Sequence, residues 1–276
     1  MPDTDLVAAH YTHGTLLEAI RQGIAKLGKT EANITLEELG PVEEFHIGGR
    51  QASAEFLDQL DVTPDHVVLD VGCGLGGVAR FAASRYGCRL SGVDLTEEYV
   101  QTGRAMSEWV GLQDRIVLEQ GSAMAMRFEP ESFDRAYIMH VGMNIADKSA
   151  LMKELFRVLK PGGRLGIYDV MRTSEAELTF PVPWASEPDG SALATLEVYK
   201  RALTDAGFRI AAERNRREFA MTFFAQLQAN TQAVGGPPPL GLHIVMGADA
   251  AKKIANMAEN VRTERIAPIE LFAVKA

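Results

Sequence analysis

Only two cysteines, Cys73 and Cys88, occur in the 276 residues. That excludes a disulfide framework and falls short of the four ligands of a closed zinc site, so no metal centre is expected. No uninterrupted run of about 18 apolar residues is present, so no helical membrane span is expected. Basic charge is in the minority, Lys+Arg 28 against Asp+Glu 37, for a formal net charge of -9. No basic cluster is dense enough to displace counterions from a phosphate backbone, so no nucleic-acid partner is expected. The one short basic run, Arg214, Arg216 and Arg217, is broken by Asn215 and followed by Glu218, and reads as a solvated strand end. Repeats and low-complexity stretches are missing too. The opening Met1-Pro2-Asp3-Thr4-Asp5 is acidic and leads into no apolar run. A secretory leader is therefore not expected, and a reduced, cytoplasmic setting is.

What is present is ordinary globular usage, 46% hydrophobic and 24% charged. The apolar pattern divides the chain. Up to about residue 62 it has helical spacing, with Leu16, Leu17, Ile20, Ile24 and Leu27, then Phe56, Leu57 and Leu60. The stretch Phe45-His46-Ile47-Gly48-Gly49-Arg50 between them reads as a loop. From about 66 to 169, short β-rich runs alternate with amphipathic helices. Val67–Val71 is continuously apolar but for Asp70, as in a strand buried on both faces. Further strands are expected at 89–94, 116–118, 136–139 and 165–169, with Thr96 as a cap for the helix after the second strand. The helix stripe Leu151, Leu155, Val158, Leu159 should stop at Lys160-Pro161-Gly162-Gly163. Strand–helix alternation at these spacings implies an α/β fold, doubly wound around a mostly parallel sheet. Beyond 170 a Pro-rich loop leads to a helix near 195–206, a strand from 208, helical patches flanking Gly235-Gly236-Pro237-Pro238-Pro239, and a last strand at 266–274.

Asp70-Val71-Gly72-Cys73-Gly74-Leu75-Gly76-Gly77 carries the strongest chemical signal. Glycines between a strand and its helix let a ligand approach main-chain atoms that a Cβ would shield. Asp94 ends the next strand, at the carboxyl edge where doubly wound sheets bind ligands, and suits the two hydroxyls of a ribose. Gly72, Gly74 and Gly77 also satisfy the dinucleotide fingerprint, so an NAD(P)-dependent oxidoreductase is the competing enzyme reading. A glycine turn that merely lets strand and helix pack closely is the bland one. Asp70 favours S-adenosylmethionine, because a carboxylate there matches the ammonium of a methionine and opposes a pyrophosphate. Gly121-Ser122-Ala123-Met124 follows the third strand, where an adenine ring fits against Met124 and the Ser122–Ala123 backbone. No Tyr-x-x-x-Lys pair supports hydride transfer.

With Phe133-Asp134 opening the fourth strand and Leu159-Lys160-Pro161-Gly162-Gly163-Arg164 the fifth, residues 67–169 resemble the class I S-adenosylmethionine-dependent methyltransferases. The resemblance implies a Rossmann-like, seven-stranded sheet whose last strand is antiparallel. It implies S-adenosyl-L-methionine as cofactor and S-adenosyl-L-homocysteine as product. Asp70, Gly72 and Gly74 would hold the methionine moiety and Asp94 the ribose; Cys73, Gly76 and Leu95 lie in the same turns and join the cofactor set. Ser122 stands where the family more often has Asp. The stretch 139–148 is similar to small-molecule enzymes acting on tocopherols, quinones, and glycine- or phosphoethanolamine-type amines, which implies a small organic acceptor with an N, O or C nucleophile.

The acceptor must face the sulfonium methyl, which places it at the ends of the fourth and fifth strands. His140 is the first candidate there, as a proton acceptor or as a cofactor contact. His46 in the preceding loop and Tyr11 near the start are further catalytic candidates. Met143, Asn144 and Trp184 are the expected substrate contacts. Phe219, Phe223, Phe224 and Leu227 keep helical spacing and read as packing. The expected organisation is a helical lid segment over 1–62 and a methyltransferase domain over 63–276. Substrate-side insertions are expected at 172–192 and 215–264. A homodimer interface built from the same apolar helices competes with the lid. So does a catalytically silent cofactor-binding subunit with enzyme function.

Overall fold

The computed structural model describes residues 4–276; Met1–Asp3, the start of the expected N-terminal lid segment, lie outside the described residues. Its element order is α1 (Thr4–Tyr11), α2 (Leu16–Lys26), α3 (Leu36–Glu43), α4 (Gly49–Asp58), β1 (Val67–Val71), α5 (Gly77–Tyr86), β2 (Arg89–Asp94), α6 (Glu97–Trp109) and β3 (Ile116–Gln120). It continues with β4 (Phe133–Met139), α7 (Lys148–Val158), β5 (Leu159–Arg172), α8 (Leu196–Ala206), β6 (Phe208–Asn215), α9 (Arg217–Val234), α10 (His243–Met246), α11 (Ala250–Arg262) and β7 (Ile266–Lys275). The seven strands form one sheet in the order β3-β2-β1-β4-β5-β7-β6. β7 runs antiparallel to both β5 and β6, and the other pairings are parallel. The doubly wound, mostly parallel sheet is thus present, with the antiparallel last strand that the resemblance implied.

Each face of the sheet has its own core. Leu69, Ile138, Ile167 and Leu271 meet α7 and α8 through Leu155 and Leu203 on one side. Val68, Leu90, Tyr137 and Tyr168 meet α4 and α5 through Phe56 and Ala82 on the other. Because side chains alternate across a strand, the near-unbroken apolar runs feed both cores at once. Left-handed glycines at Gly87 and Gly207 end α5 and α8, satisfying terminal carbonyls with a φ that a side chain would strain.

Several local expectations need correcting. The 45–50 stretch is only partly loop, since α4 begins at Gly49. α3 has a capping box in which the Thr35 hydroxyl accepts from Glu38 N–H and the Glu38 side chain accepts from Thr35 N–H. Thr96 holds the cap position of α6 but its hydroxyl makes no capping hydrogen bond; the Asp94 carboxylate takes the Thr96 N–H instead. Lys160-Pro161-Gly162-Gly163 is not a free turn: β5 already starts at Leu159, opposite Phe133, and these residues bulge before pairing resumes at Arg164 opposite Arg135. Arg216 is not solvated. It is buried, stacks on Phe219 and pairs with the fully buried Glu270 at 3.1 Å and with Glu55 at 2.7 Å.

Candidate active site

The parallel strands β1, β2, β4 and β5 end at the same edge, and the chemistry collects there. Past β1, Gly72 N–H and Cys73 N–H both donate to Val93 O at 2.7 and 3.1 Å, folding the turn over the end of β2. Gly72 has a φ of +73° and its missing Cβ would overlap the Val141 side chain, so both backbone and packing demand glycine. Gly74 N–H donates to Asp94 Oδ2 at 2.8 Å, and Thr96 N–H to Asp94 Oδ1 at 2.9 Å. The carboxylate is thereby locked in place on the cavity wall. Burial raises the Asp94 carboxyl above its usual range, against the pull of those amides. Asp70, more deeply buried than Asp94, accepts from the Tyr137 hydroxyl at 2.9 Å. Desolvation still pushes it up to about 7, and the Asp94 charge adds to the shift. A buried and a half-buried carboxyl without a paired cation suit a ligand that brings an ammonium and hydroxyl donors.

Both line a cavity of about 1940 Å³ that opens between the sheet edge and the helices above it. Leu95, Gly121, Ser122, Ala123 and Met124, the residues expected to meet an adenine, all line it. The Ser122 hydroxyl is turned back to accept from Met124 N–H at 3.3 Å. Cys73 faces the cavity too, but burial raises its thiol well above normal, so it acts as a small apolar wall. Gly76 requires correction. It lies behind the turn rather than on the cavity, where a Cβ would sit 2.9 Å from Leu118 and 3.2 Å from Arg80. Sequence reasoning missed Tyr99, a buried residue of α6 on the cavity wall whose hydroxyl has no hydrogen-bond partner. Its place on the helix after the second strand carries no sign, in sequence, of what the side chain faces. An orphaned hydroxyl close enough to feel the Asp94 charge is a further donor for an adenosyl group.

His140 follows β4 with a φ of +56°, unusual for a residue with a side chain. Its Nδ1 lies 3.2 Å from Tyr168 O, and Ile47 N–H donates to its Nε2 at 3.3 Å. That pattern assigns a neutral ring protonated at Nδ1. Burial, with His46 nearby, lowers the ring to about 3. Both nitrogens are engaged, so His140 is not placed as the free proton acceptor expected from sequence; it braces the segment after α3 against β5. His46 lies on the cavity wall, with its Nε2 3.0 Å from Ser53 Oγ and 3.1 Å from Gly49 O. The Ser53 hydroxyl donates to Glu44 at 2.6 Å, and burial lowers His46 to about 4. Tyr11 reaches across from α1 to donate to Asn144 Oδ1 at 3.4 Å, so two sequence-distant candidates meet. Burial raises the Tyr11 hydroxyl, keeping it neutral.

Met143, Asn144 and Trp184 all line the cavity, and the indole N–H of Trp184 donates to Ser191 at 2.9 Å. Phe223, Phe224 and Leu227, expected as packing, line it as well. The turn at Gly142–Asn144 is held from beneath by groups that no motif announced. Asp169 Oδ2 accepts from Gly142 N–H and the Tyr199 hydroxyl, both at 2.8 Å. Lys148 donates to Gly142 O at 2.9 Å, to Ala192 O at 3.0 Å and to Ile145 O. Among the described residues there is no cluster of His, Cys, Asp or Glu arranged to hold a metal ion, and no helix long and apolar enough to cross a membrane.

A family described as "Methyltransferase domain" matches residues 68–163. Phosphoethanolamine N-methyltransferase 3 of Arabidopsis thaliana is 30% identical over 66% of this chain and 37% of its own length. Sterol 24-C-methyltransferase of Eremothecium gossypii is 31% identical over 64% of this chain and 49% of its own. The chain thus spans less than half the length of these curated relatives. Among solved structures, geranyl diphosphate C-methyltransferase from Streptomyces coelicolor A3(2), in complex with S-adenosyl-L-homocysteine and a geranyl thiolodiphosphate, superposes with a TM-score of 0.73. It covers 100% of this chain and 99% of that one at 17% identity, a likeness of fold. The glycine turn, the locked Asp94 and the sheet with its one reversed strand agree with these matches: residues 68–163 carry a methyltransferase domain, set in a chain with the fold of S-adenosylmethionine-dependent methyltransferases.

Proposed function

We propose that the protein transfers a methyl group from S-adenosyl-L-methionine to a small organic acceptor. The carrying observation is the single cavity that runs from the Gly72–Gly74 turn and Asp94 to the wall formed by Met143, Trp184 and Phe224. When bound, the cofactor supplies an electrophilic methyl on a sulfonium. Asp70 would hold its ammonium, Asp94 and Tyr99 its ribose hydroxyls, and Leu95, Ala123 and Met124 its adenine. The relatives carry names for N- and C-methylation, so they do not select the acceptor atom here.

The protein's own contribution is positioning and exclusion of water. With His140 and His46 neutral and hydrogen-bonded, and Tyr11 neutral, the nearby groups are poor proton acceptors. Alignment supplies roughly 7–11 kcal/mol of a bimolecular barrier, more than the roughly 10²–10⁴-fold of one general base. We assign Tyr11 and Asn144 to orienting the acceptor and His140 to positioning the loop that carries Ile47. The segments 1–62, 172–192 and 215–264 act as a lid. α9, α10 and α11 contribute lining residues to the cavity, which favours a lid over a dimer interface. Two buried free thiols fit a cytoplasmic setting. Calorimetry with S-adenosyl-L-homocysteine, followed by a labelled-methyl assay across amines, phenols, quinones and apolar alcohols, tests the reading. Micromolar product binding with transfer to one class supports it, and tighter binding of NADH than of S-adenosyl-L-homocysteine overturns it.

A further inference from the structure

The acceptor end of the cavity specifies its ligand more narrowly than the fold does. Pockets for one small ligand measure about 300–1,000 Å³. At about 1940 Å³ this cavity exceeds that range, leaving space comparable to a whole ligand pocket after the cofactor end is filled. The wall of that remaining space is built from Ile47, Met143, Trp184, Phe223, Phe224 and Met257, which also belong to one apolar cluster under α9 and α11. Phe223 and Phe224 present an edge-to-face pair with centroids 5.6 Å apart. Methionines and aromatics together make a surface that adapts to large carbon skeletons.

The charges are as informative as the apolar wall. Two arginines line the cavity among the described residues, and each is paired with carboxylates. Arg50 pairs with Glu43 at 3.2 Å and Glu44 at 3.0 Å, which offset its charge although its Nη1 has no hydrogen-bond partner; Arg262 pairs with Glu259 at 2.7 Å at the exposed rim. No lysine lines it, and His46 and His140 have both been pushed well below neutrality by burial. A phosphate or diphosphate would meet no cation whose charge is not already offset by a neighbouring glutamate, so its desolvation, which burial makes expensive, would be poorly repaid. An ammonium headgroup fares no better. Glu43 and Glu44 are committed to Arg80, Arg50 and Ser53, Glu259 pairs with Arg262, Asp147 caps α7, Glu37 is solvent-exposed, and Asp70 and Asp94 lie by the glycine turn.

Building on the methyl-transfer reading, we propose that the acceptor is an uncharged, phosphate-free apolar molecule of isoprenoid size or larger, seated against Trp184, Phe224 and Met257. The nucleophile on such a molecule is a hydroxyl, an enol or an electron-rich carbon, presented to the cofactor end past Tyr11 and Asn144.

A matched pair of ligands tests this. N-phenyl-1-naphthylamine, a neutral dye that brightens in apolar sites, should fluoresce with the protein saturated in S-adenosyl-L-homocysteine. Farnesol should displace it at least tenfold more effectively than farnesyl monophosphate, which differs only by the phosphate. Leu227→Arg, which adds a cation on the cavity face of α9, should narrow or reverse that preference without altering S-adenosyl-L-homocysteine affinity. Phe224→Ala should weaken farnesol several-fold. Equal or tighter binding of the phosphate by the unaltered protein, or a dye that stays dark, overturns the inference. Calorimetry of S-adenosyl-L-homocysteine separates the two readings. Failure of that binding with the farnesol preference retained overturns methyl transfer and upholds the apolar ligand.

Discussion

Asp94 concentrates the physics of the cofactor end in one side chain. Each of its oxygens takes a backbone amide, from Gly74 and from Thr96, which fixes the carboxylate on the cavity wall. Charge-assisted hydrogen bonds contribute about 1.5–3 kcal/mol each, so losing two hydroxyl contacts should cost on the order of 10²-fold or more. Asp94→Ala should therefore weaken S-adenosyl-L-homocysteine at least 100-fold by calorimetry. Asp70 gives the pH dependence. Its carboxyl is raised to about 7, so it is protonated at lower pH and cannot offer an ammonium its full charge. Cofactor affinity should fall as pH drops through about 7, and Asp70→Asn should be weaker and pH-insensitive over that range. His140 moves oppositely: its pKa is lowered from 6.5 to about 3, so its stabilising contribution is complete above 6.5 and is lost as pH falls towards about 3. The difference in Tm between the wild type and His140→Asn should narrow as the buffer is taken from pH 7 to 4.

Among the elements, the turn from β1 into α5 was legible because its requirements are written in residue types. A positive φ at Gly72 and a strand ending in Asp94 need no tertiary information to be noticed. What presses on the turn was not legible, because Val141 lies on a different strand's exit. Gly72→Ala should lose about 2–5 kcal/mol of unfolding free energy in urea, part from φ strain and part from overlap with Val141. Adding Val141→Ala should restore only the overlap part. α9 shows the converse. Its Phe223, Phe224 and Leu227 have the spacing of any packed helix, and the cavity beneath them is made by α11 and the segment after α3. Periodicity identifies an apolar face but not what the face meets.

At the scale of the whole molecule, the acceptor wall rests on a buried polar support that joins four distant segments. Asp169 from β5, Tyr199 from α8 and Lys148 from α7 converge on the turn bearing Met143 and Asn144. Tyr199→Phe would leave Asp169 Oδ2 with the Gly142 amide alone. The expected result is a loss of about 1–3 kcal/mol in stability and a reduced kcat with S-adenosyl-L-homocysteine affinity preserved, read from melts, turnover and calorimetry. The α/β architecture and the place of the glycine turn at the sheet edge were determined by sequence alone. They depend on local rules: apolar period, chain breakers, and glycine where a side chain cannot go. The engagement of both His140 nitrogens, the burial of Arg216 against Glu270, the orphaned Tyr99 hydroxyl and the pairing of Arg50 with Glu43 and Glu44 were decided by the tertiary structure. Each depends on which group from a remote part of the chain arrives within about 3 Å, and hydrogen bonding and desolvation act only at that range.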